Sequence, residues 1–398
     1  MTNQCDVLVS GGGLAGLTTA AVFGAAGFDV ICVDPVPPHQ DNADRIADLR
    51  TTAILQPGRN LLEQAGVWHR FEAHAQPLQV MQIVDVGGPD PTPRVVRRFD
   101  AQDISGLPFG WNLPNRLLHR VLAAHLDGLD NVTVQPGIGV AALLARTGMA
   151  RVRLTDGGRI TCRMVIAADG RHSVTRMAAG IGVTTTRYGQ KALAFAVTHP
   201  IPHENMSTEI HRSGGPFTLV PLPDRDGMPC SAVVWMQDGP TALQLSRIGI
   251  PAFESAMTER SCSLFGPLTL VSRRSLWPVI SQIAQRLDGR RVALVAEAAH
   301  VVPPIGAQGL NTSLADVQTL RDLAVQSPQD LGSSDMLKAY HKLRYADIRM
   351  RVIGVDLLNR ASQAAAQPLR DARAAGLRAL YAAKPLRKTL MQMGLGLR

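Results

Sequence analysis

A glycine-rich turn between an apolar strand and a helix constrains this chain more than any other feature. Gly11, Gly13 and Gly16 match the pattern GxGxxG, directly after an apolar run at residues 5–10 and at the start of a helix predicted over 14–26. Gly11 permits the tight turn, Gly13 lets the backbone approach a pyrophosphate, and Gly16 lets the helix pack closely on the strand. The pattern predicts a dinucleotide-binding βαβ unit.

The start of this helix and the end of the next strand supply the polar groups that a dinucleotide needs. The free N–H groups and the positive dipole end at Leu14 and Ala15 favour phosphate. A second apolar run, 29–34, ends in Asp34, which is placed to accept hydrogen bonds from a ribose.

Two later segments favour FAD over NAD as the dinucleotide. The apolar run 164–168 ends in Asp169, and the run 292–295 leads through Glu297 to a helix start at 306–311. An acid at a strand end suits the hydroxyls of a ribityl chain, and the helix start suits the negative charge of a reduced flavin. The predicted cofactor contacts here are Asp169, Glu297, Gly306, Gly309, Leu310 and Asn311.

The order of the predicted elements indicates an α/β (α+β) fold with a Rossmann-like nucleotide-binding domain. We expect that domain to be discontinuous, over residues 1–180 and 285–330, because β-type runs separated by Pro and Gly interrupt it. These runs predict an antiparallel β-sheet substrate domain over 181–284, which 78–110 joins. Residues 331–398 are expected to form C-terminal helices with a basic tail.

Composition excludes several other classes of protein. The net charge is +9, but seven basic residues and a single acid, Asp371, lie in 369–398, so the excess charge belongs largely to a tail. With 4% aromatic residues and no recognised motif, nucleic-acid binding is not expected. The five widely spaced cysteines predict a reducing compartment and no metal site. The sequence predicts no signal peptide and no transmembrane span, hence a cytoplasmic protein.

The basic tail carries an apolar stripe. Leu386, Leu390, Met393 and Leu397 follow a 4-3-4 spacing, with Arg387 beside them. A basic amphipathic helix can lie on an anionic membrane surface, which predicts peripheral membrane contact through 369–398 on the inner face. The alternative is a helix that packs on its own domain or on a second subunit.

The glycine turn and the two later segments resemble the GxGxxG, DG and GD motifs of the class A flavoprotein aromatic hydroxylases, which have the p-hydroxybenzoate hydroxylase fold. Residues 300–311, HVVPPIGAQGLN, resemble the ubiquinone-biosynthesis branch of that family (UbiH/UbiF-like). Matching stretches also occur at 48–54, 115–118, 214–222 and 337–347, so the resemblance spans roughly residues 5–360. Ala296 and Ser313 stand where the wider family has glycine, and Glu297 stands where it has aspartate.

The resemblance implies an FAD-dependent monooxygenase. NADH or NADPH would reduce FAD, O₂ would add at flavin C4a, and the hydroperoxide would hydroxylate the aromatic ring of a polyprenylated ubiquinone precursor, a polyprenyl phenol or quinone. Arg50 and Arg116 carry over as FAD contacts, and Pro303 and Pro304 as the wall beside the flavin ring. No catalytic acid or base is assigned, and His300 is interpreted as a packing residue.

Three alternatives remain open at this point. A class A hydroxylase of a soluble phenol would share every motif. A catalytically idle flavoprotein could instead serve as the scaffold of a ubiquinone-biosynthesis complex. A flavin halogenase is disfavoured, because residues 110–114 lack the second Trp and the Ile of its GWxWxIP string. Arg45 is a further candidate contact for NAD(P)H, although a solvated loop arginine is the simpler interpretation.

Overall fold

The computed structural model describes residues 2–36, 50–87 and 92–396, with the side chains of 2 and 3 left aside. In chain order its strands are β1 Thr2–Ser10, β2 Val30–Asp34, β3 Thr51–Leu55, β4 Gln76–Leu78, β5 Val80–Asp85, β6 Val95–Asp100, β7 Gly110–Pro114, β8 Val132–Pro136, β9 Val140–Ala145, β10 Ala150–Leu154, β11 Arg159–Ala167, β12 Val183–Thr198, β13 Met206–His211, β14 Pro216–Arg225, β15 Met228–Asp238, β16 Thr269–Leu270, β17 Ser275–Ala284, β18 Asp288–Gly289, β19 Val292–Leu294 and β20 His300–Val301. The α-helices are α1 Leu14–Ala25, α2 Gln56–Gln64, α3 Asn115–Leu126, α4 Val174–Ala178, α5 Gly239–Arg247, α6 Ile250–Arg260, α7 Ala296–Ala299, α8 Gln308–Gln326, α9 Ser334–Gln363, α10 Gln367–Ala382 and α11 Lys384–Leu395.

The first sheet carries the nucleotide-binding part of the fold. Strands β19, β11, β1, β2 and β8 pair in that order and run parallel, and β18 and β10 add antiparallel partners. Val7, Leu8 and Val9 of β1 are completely buried, as expected for a parallel strand covered on both faces. Helix α1 joins β1 to β2, so the predicted βαβ unit is present.

The second sheet forms the other half of the molecule. Its order is β20-β17-β12-β15-β14-β13-β5-β6, antiparallel except for the parallel pair β13–β5, and β16 pairs with β12. Strands β5 and β6 come from residues 80–100, so that early segment pairs with the later sheet. The face of this sheet away from the cavity packs under α5 and α6 around Phe195, Phe217 and Phe253. The mixed α/β architecture agrees with the predicted fold class.

The C-terminal helices bind both halves together. The hydroxyl of Tyr340 on α9 donates a 2.8 Å hydrogen bond to the carbonyl of Leu294 in the first sheet. On α10, the Tyr381 ring packs edge-on against Phe99 of β6, with the ring centroids 5.7 Å apart. Within the described ranges, no helix combines the length and the apolar character that a membrane span requires.

Candidate active site

A large cavity lies between the two sheets. Its volume is about 1210 Å³, above the roughly 300–1,000 Å³ typical of small-ligand pockets. The start of α1, the start of α8, the facing strands of the second sheet and one face of α11 all contribute to its wall. The cavity therefore has room for an extended dinucleotide and a second molecule.

The three motif glycines play different parts in this wall. A Cβ at Gly16 would stand 1.8 Å from the carbonyl oxygen of Gly11, and a Cβ at Gly11 would stand 2.4 Å from that of Ala168. Gly11 also has a φ of +112°, which disfavours any other residue. A Cβ at Gly13, in contrast, would meet no protein atom within 4 Å. The fold itself therefore needs Gly11 and Gly16, whereas Gly13 leaves open space beside the cavity that it lines with Leu14 and Ala15.

The start of α8 forms the opposite part of the wall. Gly306 and Ala307 both have positive φ, +63° and +55°, and turn the chain into the helix. Gly309 lies in the first turn, where a Cβ would again meet nothing within 4 Å. The first N–H groups of any helix lack intrahelical partners, and here they lie at the cavity, which Gly306, Gly309 and Leu310 line.

Asn311 supports this helix start without lining the cavity. Its Nδ2 donates to the carbonyls of Ala53 at 2.7 Å and Ala307 at 2.8 Å, and its Oδ1 accepts from the N–H of Leu55 at 2.9 Å. The side chain thereby fixes β3 against α8. Asn311 was predicted as a cofactor contact; in the structure its side-chain amide bonds to the backbone through Nδ2 and Oδ1, and the cofactor contact stays a prediction.

The two predicted strand-end acids are also engaged by the protein. Asp34 accepts hydrogen bonds from the N–H groups of Gly12 and Val36, and Asp169 accepts from Ser173 Oγ and from the N–H of Thr175. Among the described residues, neither carboxylate lines the cavity, because both satisfy turn and helix-start N–H groups. Their ribose and ribityl contacts stay predictions.

The remaining predicted site residues come together at the cavity. Arg50, just before β3, and Arg116 of α3 line it, and the Arg50 guanidinium lies 4.7 Å from the centroid of the Trp277 ring. Glu297 lines it from α7, and Pro303 and Pro304 line it just before α8. Arg45 and the first two residues of the 48–54 stretch lie outside the described residues.

A buried ionic network holds the segment that carries these residues. Asp316 of α8 is completely buried, and its two oxygens accept from His300 Nε2 at 2.6 Å and from Arg344 Nε at 2.9 Å. Burial favours the neutral acid, but His300 and Arg344 outweigh it, so the pKa of Asp316 lies below its usual value. The pKa of Arg344 is raised: burial opposes its charge, and Asp316 and Asp347 more than compensate. His300 is thus held in place by Asp316 and also lines the cavity, so its interpretation as a packing residue stays a prediction.

Comparison with known proteins agrees with this geometry. The FAD-binding domain family matches residues 4–352. The ubiquinone hydroxylase UbiL of Rhodospirillum rubrum is 30% identical over 98% of this chain and 89% of its own length. The chain belongs to this FAD-dependent hydroxylase family. The 3-demethoxyubiquinol 3-hydroxylase of Escherichia coli is 27% identical over the full length of both chains.

A solved structure confirms the fold of this hydroxylase. The p-nitrophenol 4-monooxygenase of Pseudomonas putida superposes with a TM-score of 0.78 at 19% identity and covers all of both chains. FAD is the cofactor, and the open space at Gly13 and Gly309, beside two helix starts, fits a dinucleotide with a flavin at its far end. The predicted class A flavin hydroxylase, with NAD(P)H as reductant, is confirmed at the level of family.

The departures from the family pattern have local physical consequences. Ala296 has a φ of +55°, in the left-handed region that favours glycine, which explains the glycine of the wider family and costs this chain about 1 kcal/mol. Ser313 is accommodated because its hydroxyl donates to the carbonyl of Gly309 at 3.0 Å. Glu297 still reaches the cavity wall. The departures thus leave the site assembled.

Several cavity residues were not found from the sequence. His119 of α3 lines the cavity, with its Nε2 3.1 Å from the carbonyl of Gly12. Met391 and Leu395 of α11 are buried and wall the cavity, although the stripe identified on that helix is a different one. Glu209 and His211 line it from β13, and only the alternation of polar residues along that strand could have indicated them.

Proposed function

We propose that this hydroxylase adds a hydroxyl group to the ring of a polyprenylated phenol that is a precursor of ubiquinone. One oxygen atom of O₂ enters a ring C–H bond, and the other leaves as water with two electrons from NAD(P)H. The observation that supports the proposal is one cavity in which two helix starts meet an apolar chamber. Gly13, Leu14 and Ala15 would bind the pyrophosphate, and Gly306, Gly309 and Leu310 would face the flavin ring. FAD supplies the oxygen chemistry when bound, and the protein orients the substrate and excludes water.

The apolar chamber supports a prenylated substrate over a soluble phenol. Leu55, Leu78, Phe109, Met391 and Leu395 line the part of the cavity that lies towards the C-terminal helix. A small phenol would leave this surface unfilled, whereas an isoprenoid chain would bury it with a favourable free energy of about 25 cal/mol per Å². The UbiL and Escherichia coli relatives are named for ubiquinone and demethoxyubiquinol, which fits this choice.

Loss of the gene provides the test in cells. We expect cells without the hydroxylase to accumulate a polyprenylated ring that lacks one oxygen, and mass spectrometry of the quinone fraction identifies it. Restoring the wild-type gene should remove the intermediate. An unchanged quinone fraction would contradict the proposal and favour a soluble phenol as the substrate.

We propose in addition that the C-terminal helices contact an anionic membrane surface. Leu386, Leu390 and Met393 of the predicted stripe are exposed, while other residues of α11 pack inwards; Leu397 lies outside the described residues. Helix α9 carries a second outward stripe, entirely apolar. Its members are Leu343, Ala346, Met350, Ile353, Gly354, Leu357 and Ala361.

Charge and position favour a bilayer as the partner of these stripes. Lys342, Arg349 and Arg360 follow one edge of the α9 stripe, and α11 contains no acidic residue. A second copy of the chain would bring like charge, whereas an anionic membrane brings the opposite charge. Leu358 and Leu390 are exposed and also line the cavity, so the apolar surface is continuous with the chamber.

Vesicle binding tests this surface. We expect the triple substitution Met350→Gln, Ile353→Gln and Leu357→Gln to lower binding to phosphatidylglycerol-containing vesicles at least tenfold, because three exposed apolar anchors are lost. The matched control, Leu144→Gln with Met177→Gln, changes exposed apolar residues elsewhere and should leave binding unchanged. Cosedimentation measures both. Unaltered vesicle binding by the triple variant, or its conversion of a dimer into a monomer, would contradict membrane contact.

A further inference from the structure

A polar patch interrupts the apolar wall of the cavity on strand β13. Ser207, Glu209 and His211 alternate along the strand and line the cavity, while Thr208 and Ile210 between them are buried on the other face. Alternation of this kind places the three polar side chains on one face of the sheet. None of the three residues was predicted from the sequence as part of the site.

The surroundings of Glu209 are largely apolar. In register, Glu209 lies between Ile83 of β5 and Thr218 of β14, and the next residue across the sheet is Val234 of β15. All three of these neighbours line the cavity with it. A carboxylate in such a wall is costly unless it is paired or has a ligand to bind.

His211 pairs with only one of the two carboxylate oxygens of Glu209. Its Nε2 lies 2.8 Å from Glu209 Oε1, which leaves the second carboxylate oxygen, Oε2, without a hydrogen-bond partner among the described residues. Both side chains remain slightly accessible, at 12% for His211 and 14% for Glu209. One oxygen of Glu209 is therefore held, and the other is available to a hydrogen-bond donor inside the cavity.

Two other charged groups on this face have contacts of their own. Asp85, in register with His211, is bound by Arg94 and by Arg373, the latter at 2.7 Å. The Arg97 guanidinium lies 5.1 Å from the centroid of the Tyr381 ring. Glu209 thus presents, on this wall, a carboxylate oxygen that retains capacity for a ligand.

The distance from Glu209 to the segment that leads into α8, which would lie beside the flavin, suits an aromatic ring. Val234 and Val302 both pack against one hydrophobic cluster that contains Ile305, in the segment that leads into α8. Neighbouring strands lie about 4.8 Å apart, so Glu209, two strands from Val234, is roughly 10 Å from it. A substrate ring can lie between them, with a hydroxyl at Glu209 and its far edge towards residues 302–306.

We propose that Glu209 accepts a hydrogen bond from the phenolic hydroxyl of the substrate, and that His211 is the positioning residue that orients its carboxylate. The inference rests on the proposed function and adds the contact that sets the orientation of the ring. A hydrogen bond to a carboxylate also raises electron density on the phenol, which favours transfer of a hydroxyl group to a ring carbon. The class of ligand recognised is a phenol, as opposed to its ether.

Binding of a matched pair of compounds tests the contact without turnover. The probes are 2-farnesylphenol and its methyl ether, titrated calorimetrically into the FAD-loaded full chain under anaerobic conditions without NAD(P)H. We expect the wild type to bind the phenol more tightly than the ether, and Glu209→Gln to lose about tenfold to a hundredfold in affinity for the phenol alone. His211→Phe should reduce the same preference while ether binding stays unchanged.

The controls separate this inference from the proposed function. Glu259→Gln changes an exposed glutamate paired with Arg212 outside the cavity, and should keep the wild-type preference. Equal affinity of the wild type for phenol and ether, or an unaltered preference in Glu209→Gln, would overturn the role of Glu209 and leave the proposed function standing. Failure of the wild type to bind either compound would overturn both.

Discussion

Replacing Gly13 with alanine is expected to leave the fold intact and to weaken FAD binding about tenfold to a hundredfold. The new methyl group would meet no protein atom within 4 Å, so the free energy of unfolding of the apoprotein should change by less than about 1 kcal/mol. It would, however, occupy the space through which the backbone approaches the pyrophosphate. Equilibrium dialysis of FAD and urea unfolding of the apoprotein measure the two effects separately.

Two other glycines serve as controls for this result. Gly16→Ala would place its methyl carbon 1.8 Å from a backbone oxygen, so we expect little folded protein at all. Gly376→Ala, on exposed α10, meets no atom either and lies far along the chain from the motif, so flavin affinity should be unchanged. Normal FAD affinity in Gly13→Ala would contradict the assignment of Gly13 to the pyrophosphate.

Replacing Asp316 with asparagine is expected to lower the free energy of unfolding by about 3–5 kcal/mol. Asparagine keeps the shape of the side chain but leaves the guanidinium of Arg344, itself 5% exposed, without its buried counter-charge. The same change weakens the hold on His300 and on the segment that leads to Pro303 and α8. Urea unfolding at saturating FAD, followed by tryptophan fluorescence, measures the loss.

The second partner of Arg344 provides the matched control. Asp347 pairs with the same guanidinium at 2.7 Å, but its side chain is 21% exposed and water can replace it. We therefore expect Asp347→Asn to cost about 1 kcal/mol or less. Equal losses of unfolding free energy in the two variants would contradict the larger contribution expected of the buried Asp316–Arg344 pair.

The pH dependence of stability should identify the same carboxylate. Because the folded pKa of Asp316 is lowered, its contribution is complete above the unfolded pKa of about 3.9 and is lost as pH falls through the folded value. The difference in unfolding free energy between the wild type and Asp316→Asn should therefore shrink below about pH 4. A difference that grows on acidification would contradict the lowered pKa.

The elements with regularly spaced apolar residues and glycine-containing turns were predictable from the sequence. Helix α3 spans Asn115–Leu126 as expected, because its apolar residues recur at helical spacing. The βαβ unit and its glycine turn were predictable because the motif glycines stand at a fixed spacing between an apolar strand and a helix. The FAD-dependent hydroxylase class followed from the 300–311 string and is confirmed by the family comparison.

The parts that depend on long-range pairing were not predictable. Strand β5 pairs in parallel with β13, more than 120 residues later, and no local pattern specifies that partner. The inward face of α11 is set by the cavity it closes, so Met391 and Leu395 are buried while the more regular stripe is exposed. The side chains of Asp34, Asp169 and Asn311 bond to backbone groups, which no local pattern specifies, and their contacts with the cofactor stay predictions.

Isotope incorporation tests the central claim most directly. The purified chain, loaded with FAD and given NADH or NADPH, 2-farnesylphenol and heavy-oxygen-labelled O₂, is analysed by mass spectrometry of the organic product. We expect a ring-hydroxylated farnesylphenol that carries one labelled oxygen atom, with one NAD(P)H oxidised for each product formed. A flavin-loaded protein that never oxidises NAD(P)H in the presence of this phenol, or a product without the label, would contradict it.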